Sequence, residues 1–185
     1  MAKRDGGDTV RKVTLYIAMS LDGYIADSSG NVDWLNGQDD DTETIDTYSN
    51  FINGIDTVVM GWKTYHQVAT ELSPDEWVYS ALTSYIITHR ELPSTENLKF
   101  VQEGPCNLIQ RLKREPGRGI WICGGANIVQ PLIKADLIDE YDISIIPTVL
   151  GDGVSLWGGT DGEMKLKLTR TQSSNGIMEL VYVRR

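Results

Sequence analysis

The chain has 185 residues, of which 41% are hydrophobic, and it carries a net charge of −9 with a pI of about 4.7. This length suffices for one domain with a substantial core. The acidic balance disfavours nucleic acids and anionic membranes as partners, because both require a basic face. No apolar run approaches the ~20 residues that span a bilayer, and the first residues lack the apolar core of a signal peptide. We therefore expect a cytoplasmic protein with a loose leader at residues 1–11 and a single domain at residues 12–185.

The first part of the chain predicts a strand, two turns and a helix. Residues 12–19 are rich in β-formers and predict a central strand. Turn signals follow at residues 22–23 and 28–31. Trp34 then lies in a loop, where it suits core packing and the wall of a ligand site equally well. Apolar residues at helical spacing predict a helix over residues 42–53 that Gly54 ends.

Two acidic residues, Glu43 and Asp46, fall near the start of this predicted helix. Acidic side chains are favoured at helix N-termini whatever their function, because the helix dipole is positive there. Taken alone, either residue therefore suits a solvated charge better than a catalytic one.

Strand–glycine–helix junctions recur along the chain. Residues 56–60 predict a buried strand, and Gly61, Trp62, Lys63 and Thr64 follow it directly. The third strand, residues 84–88, ends with Thr88 and continues into His89 and Arg90. Because ligands bind at the C-terminal ends of strands in open α/β sheets, these polar and cationic residues predict a phosphate site.

The most informative junction is the stretch 120–133. Its first four residues are apolar, as in a strand buried on both faces. Gly124 and Gly125 follow, and the apolar spacing after them predicts a helix with an irregularity at Pro131. Taken alone, this pattern is explained equally well by a tight βα turn and by a nucleotide-binding turn. Its combination with the two other junctions is a more specific indication of a nucleotide site.

The remaining chain predicts further strands, a helix and a hairpin. Residues 98–101 and 137–146 predict strands, residues 107–113 predict a helix, and residues 71–83 read as a connecting loop. Residues 163–172 and 177–183 flank a turn signal at residues 173–176, which predicts an antiparallel hairpin. The chain thus begins as parallel βα units and ends with an antiparallel hairpin.

The cysteines and histidines indicate no metal centre or disulfide. Cys106 and Cys123 lie far apart in apolar surroundings, which favours buried free thiols. His66 and His89 lack the spacing of metal ligands.

Five motifs together resemble the dihydrofolate reductase superfamily, and within it the branch with the reductase domain of bacterial riboflavin-biosynthesis proteins and small stand-alone relatives. The motifs are AMSLDGYIA at 18–26, DWL at 33–35, VMGWKTY at 59–65, IWICGGA at 120–126 and PTVLGDG at 147–153. This resemblance covers most of the chain from residue 12 to residue 183. It implies an α/β fold of the dihydrofolate-reductase type, with three α-β-α layers and a mostly parallel central sheet that ends in an antiparallel C-terminal hairpin.

The resemblance also implies NADPH-dependent hydride transfer to a pteridine-like or pyrimidine-derived heterocycle. Residues implied to contact the cofactor are Ala18, Gly61, Trp62, Lys63, Thr64, Thr88, His89, Arg90, Gly124, Gly125, Ala126 and Asn127. Residues implied to contact the substrate are Tyr24, Trp34, Tyr48 and Phe51.

The sequence departs from the family pattern at three positions. Trp62 occupies the place of a phosphate-binding arginine, so Lys63 and Arg90 could compensate or Trp62 could stack on the adenine. The family's acid at the start of the first helix matches Asp46 only with a one-residue shift. Tyr24 stands where riboflavin-pathway reductases often carry a lysine.

These departures leave three functions open. The first is a reductase acting on a heterocycle, and the second is the specific riboflavin-pathway reduction of 5-amino-6-(5-phosphoribosylamino)uracil. The third is a non-catalytic dinucleotide-binding protein, because fold resemblance does not fix function. The resemblance further implies a homodimer, for which Trp157 is an interface candidate unless it packs within its own chain.

Overall fold

A computed structural model describes residues 10–39, 46–158 and 162–185. Glu43, one of the two acidic residues near the start of the predicted first helix, and the leader up to residue 9 lie outside these described residues. The strands are β1 Val13–Ser20, β2 Tyr24–Ala26, β3 Ile55–Gly61, β4 Thr83–Ile87, β5 Leu98–Val101, β6 Gly119–Gly124, β7 Glu140–Ile146, β8 Val154–Ser155, β9 Leu166–Ser174 and β10 Ile177–Arg184. The helices are α1 Tyr48–Ile52, α2 Trp62–Gln67, α3 Pro105–Leu112 and α4 Ala126–Lys134, and a π-helical turn at Val68–Leu72 extends α2.

Eight strands form one sheet in the order β5-β4-β3-β6-β1-β7-β10-β9, and β2 pairs with β8 outside it. Pairing is parallel from β5 to β7, whereas β10 runs antiparallel to both β7 and β9. Asn175 and Gly176 join β9 to β10 with φ angles of 49° and 75°. A two-residue hairpin turn with two positive φ angles fits the twist of the flanking strands. The predicted sheet and C-terminal hairpin are therefore confirmed.

Alternating side chains of the central strands build two separate cores. In β1, Val13 and Leu15 face a cluster that includes residues of α3 and α4, and Tyr16 faces a second cluster around Trp121. Helices α1 and α2 contribute to the second cluster through Phe51, Ile52, Trp62 and Tyr65. Because both faces are covered, the strands are apolar on both sides, and the three-layer α-β-α arrangement is confirmed.

Several predicted boundaries shift. The predicted helix over residues 42–53 is helical from Tyr48 in its described part. Helix α4 runs through Pro131 without an interruption, in contrast to the predicted irregularity. Strand β7 begins at Glu140 and not at Leu137, because the Leu137 N–H closes the end of α4 by donating to the Leu132 carbonyl at 3.0 Å.

Arg11, the last residue of the expected leader, belongs to the folded domain. Its side chain is buried and pairs with Asp56, and its guanidinium also donates to Thr57 Oγ1 at 2.7 Å and to the Arg118 carbonyl at 2.8 Å. A buried guanidinium requires such partners. The sequence did not reveal them because they lie 45 or more positions away.

Candidate functional site

The three predicted junctions lie side by side at one edge of the sheet. Strand β3 is between β4 and β6, with Gly61 aligned to Ile87 and Met60 aligned to Gly124. The residues that follow β3, β4 and β6 therefore converge, as the sequence predicted.

The β6–α4 turn brings bare backbone close to α2. The Gly124–Gly125 peptide is cis, and Gly124 has a φ of 135°, a conformation that favours glycine. A Cβ added at Gly125 would lie 3.5 Å from Thr64 Oγ1, and one added at Gly61 would lie 3.2 Å from Ile128 Cγ1. Gly125 also precedes α4, whose first N–H groups have no acceptor inside the helix. The turn is thus shaped to receive an anionic group close to its main chain.

Polar and cationic side chains stand at the same edge. Lys63, His89 and Arg90 are exposed, and Asn127 is exposed on the first turn of α4. The Arg90 guanidinium lies over the Trp62 ring, with 4.6 Å between Cζ and the ring centroid. Buried Thr88 accepts a hydrogen bond from the Arg90 N–H at 3.1 Å.

The Trp62 ring packs against two aromatic rings of its own helix. Its ring centroid is 5.5 Å from that of Tyr65 and 5.7 Å from that of His66. A cation over an indole face is stabilised by the ring quadrupole. Trp62 and Arg90 therefore support each other at this edge of the sheet, and compensation by Arg90 for the arginine that is missing at position 62 stays a prediction.

A cavity of about 480 Å³ opens next to this edge. This volume is typical of small-molecule sites. Ile17 connects the two regions, because it lines the cavity and its Cδ1 lies 3.4 Å from the position of a Cβ at Gly124. The lining residues come from four strands (β1, β7, β9 and β10), from α1 with the segment before it, and from one loop: Tyr16, Ile17, Ala18, Leu35, Asp46, Thr47, Tyr48, Ser144, Ile146, Gln172, Ser174, Ile177 and Glu179.

Only some of the predicted substrate residues line the cavity. Tyr48 does so, but Phe51 stacks on Tyr16, with 4.2 Å between the ring centroids. Tyr24 pairs with β8 in the small sheet. Trp34 turns back on its own loop, where its Nε1 donates to the Asn31 carbonyl at 3.2 Å, and its neighbour Leu35 lines the cavity instead. Tyr24, Trp34 and Phe51 therefore do not line this cavity, and their contact with a substrate stays a prediction.

Asp46 reaches the cavity edge but acts as a helix cap. It lies two residues before the start of α1. Its Oδ1 accepts from the Ser49 N–H at 2.9 Å, and its Oδ2 accepts from the Ser49 hydroxyl. These hydrogen bonds lower the pKa of Asp46, which is exposed. An ionised, capped carboxylate is poorly suited to donate a proton.

The sequence analysis missed a buried carboxyl pair on β7 and β10. Asp142 and Glu179 are 4% and 5% exposed, and both contact Arg170 of β9, at 3.2 Å and 2.8 Å respectively. Burial, and then the charge of Glu179, raise the pKa of Asp142 to about 7. The available signal was an acidic residue inside each of two strongly apolar strands, EYDISII and IMELVYV.

The cysteines are free thiols, as predicted. Both are partly buried, and burial raises the pKa of Cys106 and raises that of Cys123 to about 12. Across the described ranges, no three His, Cys, Asp or Glu side chains form a metal-binding group. The helices of this same part of the chain are all too short or too polar to cross a membrane.

Trp157 packs against the first core cluster, and its Cδ1 lies 3.5 Å from the position of a Cβ at Gly23. This contact gives the tryptophan a role within its own chain. The homodimer stays a prediction.

Comparison with known proteins identifies the family. Residues 11–178 match the model of the RibD C-terminal domain, so the chain belongs to that family. It is 41% identical to the uncharacterized protein YwjB of Bacillus subtilis (strain 168) over 175 residues, which are 94% of this chain and 98% of that protein. It is 26% identical to the riboflavin biosynthesis protein RibD of Haemophilus influenzae, of which it spans 48% while 76% of this chain is covered. A crystal structure from Shewanella sp. PV-4, provisionally described as a riboflavin biosynthesis protein, has a TM-score of 0.79 and 27% identity, covering 94% of this chain and 99% of that one.

Proposed function

We propose that the protein is an NADPH-dependent reductase that transfers hydride to a C=N or C=O bond of a small heterocycle. The observation that carries this proposal is the continuity of the Gly124–Gly125 turn with the cavity through Ile17. A dinucleotide whose phosphates lie at the turn can extend its reactive ring along β1 into the same cavity as the substrate. Family membership supports the proposal independently.

The residues present fit this cofactor. The start of α4 and the glycines at 61, 124 and 125 offer backbone contacts to a pyrophosphate, and Lys63 and Thr64 offer a cation and a hydroxyl. Arg90, supported by Trp62, stands next to Thr88, where the family places the adenosine phosphate. Ala18, which is small and lines the cavity, leaves room for the nicotinamide.

When bound, NADPH supplies the hydride, and the acceptor also takes up one proton. The chain's part is to orient the two reactants and to exclude water, which converts a bimolecular step into a step within one complex. Tyr16, Tyr48 and Ile146 provide flat apolar walls for a ring. Glu179 of the buried carboxyl pair also lines this cavity.

The decisive measurement is a titration with NADPH and with NADH, followed by quenching of tryptophan fluorescence. We expect saturable binding with NADPH preferred. Arg90→Ala should weaken NADPH binding about 10- to 100-fold, since a charge-assisted contact to phosphate is worth about 1.5–3 kcal/mol, and it should change NADH binding much less. Arg114→Ala, which removes an exposed arginine from another surface, is the matched control.

Turnover separates the remaining functions. Oxidation of NADPH should be followed with a panel of pterins, quinonoid compounds and aminopyrimidines. Oxidation with 5-amino-6-(5-phosphoribosylamino)uracil would identify the riboflavin-pathway step, which the family's name favours. NADPH binding without reduction of any acceptor would support the non-catalytic protein, and absence of binding would refute the reductase proposal.

A further inference from the structure

Glu179 is the most deeply buried charged residue that lines the cavity. It lies on β10 directly opposite Ser144 of β7 and Gln172 of β9, and both neighbours also line the cavity. Directly opposed residues in antiparallel strands point to the same side of the sheet. These three polar side chains therefore form a polar floor under otherwise apolar walls.

The partners of this carboxyl group are incomplete. Arg170 Nη2 approaches Glu179 Oε1 to 2.8 Å, but Oε1 receives no hydrogen bond from the described residues, and the same is true of Asp142 Oδ1. A single, half-exposed guanidinium thus serves two buried carboxyl groups. Buried charges normally complete their hydrogen bonds, so a cavity-lining carboxyl group with this one partner has acceptor capacity left for a ligand.

The alternative carboxyl group at this cavity is already satisfied. Both oxygens of Asp46 accept hydrogen bonds from Ser49, and the residue is exposed. A ligand that contacts Asp46 would compete with the helix cap and with water. A ligand that contacts Glu179 would meet a buried carboxyl group whose charged partner is Arg170 alone among the described residues.

We infer that Glu179 is the substrate-contacting carboxyl group of this protein, and that it accepts hydrogen bonds from a ring N–H and an adjacent exocyclic amino group of a planar heterocycle. Two parallel N–H donors match the two oxygens of a carboxylate, as they do in arginine–carboxylate pairs. Ser144 and Gln172 on either side can pair with further polar atoms of the ring. This inference rests on the proposed reductase function for its substrate, but it concerns binding and can be tested without turnover.

The probe is isocytosine, which presents a ring N–H beside an amino group, and the comparison is uracil, which presents carbonyl oxygens on both sides of its N3–H. Dissociation constants are measured by ligand-observed NMR on the full chain at neutral pH. We expect the wild-type protein to bind isocytosine at least 10-fold more tightly than uracil. Glu179→Gln should remove this preference, because an amide cannot accept two hydrogen bonds side by side.

Three further measurements make the outcome decisive. Asp46→Asn tests the competing assignment and should keep the preference for isocytosine. Glu76→Gln, an exposed glutamate in the segment after α2, is the matched control and should also keep it. The affinity of Glu179→Gln for NADPH should stay within about 2-fold of wild type, which shows that the variant is folded and its cofactor site intact.

Other results overturn the inference. The inference fails if the wild-type protein does not prefer isocytosine. It also fails if Glu179→Gln keeps the preference or if Asp46→Asn loses it, because another residue would then recognise the heterocycle. If NADPH binds while the isocytosine preference is absent, the reductase proposal survives and only the role of Glu179 fails. If isocytosine binds through Glu179 while NADPH does not bind, the reductase proposal fails and the pocket assignment stands.

Discussion

Asp142 should make the protein less stable as the pH rises through neutrality. Its pKa is raised from the ordinary value of 3.8 to about 7 because burial and the nearby Glu179 disfavour its ionised form. The folded state therefore holds a proton that the unfolded state has lost, and stability decreases with pH between these two values. Each pKa unit corresponds to about 1.4 kcal/mol, so the loss amounts to about 4 kcal/mol in total and about 3 kcal/mol between pH 5 and pH 8.

Asp142→Asn tests this reasoning because asparagine resembles the protonated carboxyl group in shape and stays neutral. Relative to wild type, the variant should gain about 3 kcal/mol in free energy of unfolding on going from pH 5 to pH 8. Urea denaturation at several pH values, followed by tryptophan fluorescence to which the buried Trp121 contributes, measures the difference. Asp75→Asn removes an exposed carboxylate and serves as the control for net charge. Stability curves for Asp142→Asn and wild type that run parallel over this range would refute the argument.

Three smaller changes test the core, the hairpin and the thiols. Leu132→Ala should cost about 2–5 kcal/mol in urea denaturation, because Leu132 is fully buried in the first core, and a loss below 1 kcal/mol would contradict that placement. Gly176→Ala should lower stability by about 1–2 kcal/mol, since its φ is 75° and a Cβ would lie 2.6 Å from Gln38 Oε1; thermal unfolding measures this, with Gly104→Ala in open space as the comparison. In Cys106→Ser, Cys123 is the one remaining thiol, and its pKa is raised to about 12 in the folded protein. It should therefore react with a disulfide reagent at pH 8 far more slowly in the folded than in the unfolded protein.

The fold could be predicted from the sequence because local patterns and pairing rules agree. Apolar runs such as residues 120–123 mark parallel strands, and the glycine junctions after them mark where each crossover helix begins. The Asn175–Gly176 pair determines the last hairpin. The ends of strands and helices were harder to predict where a turn contains apolar residues. Leu137 is such a residue, because it closes α4 and does not begin β7.

The cavity was less predictable because its walls are assembled from residues distant in sequence. Trp34 and Leu35 are neighbours, and which of them faces the cavity depends on a loop hydrogen bond to the Asn31 carbonyl. Predicting that Glu179 lines the cavity requires knowing that β10 lies beside β7. This pairing places the Glu179 side chain next to Asp142 and the cavity rather than in solvent. A single acidic residue in a C-terminal hairpin strand ordinarily suggests an exposed face, and only the register of the sheet reverses that interpretation.

A net charge of −9 does not oppose the proposed cofactor site, because electrostatic effects on a bound phosphate are local. Exposed charges more than about 10 Å away are largely screened at 0.1 M salt. Lys63 and Arg90 stand at the junction edge together with the positive end of α4, whereas the buried acidic pair belongs to the opposite half of the sheet. The aromatic residue at position 62 keeps one of these cations in place through its ring. Loss of the family's arginine in the motif is therefore compatible with anion binding, since the strand order brings Arg90, 28 positions later in the chain, to the same edge of the sheet.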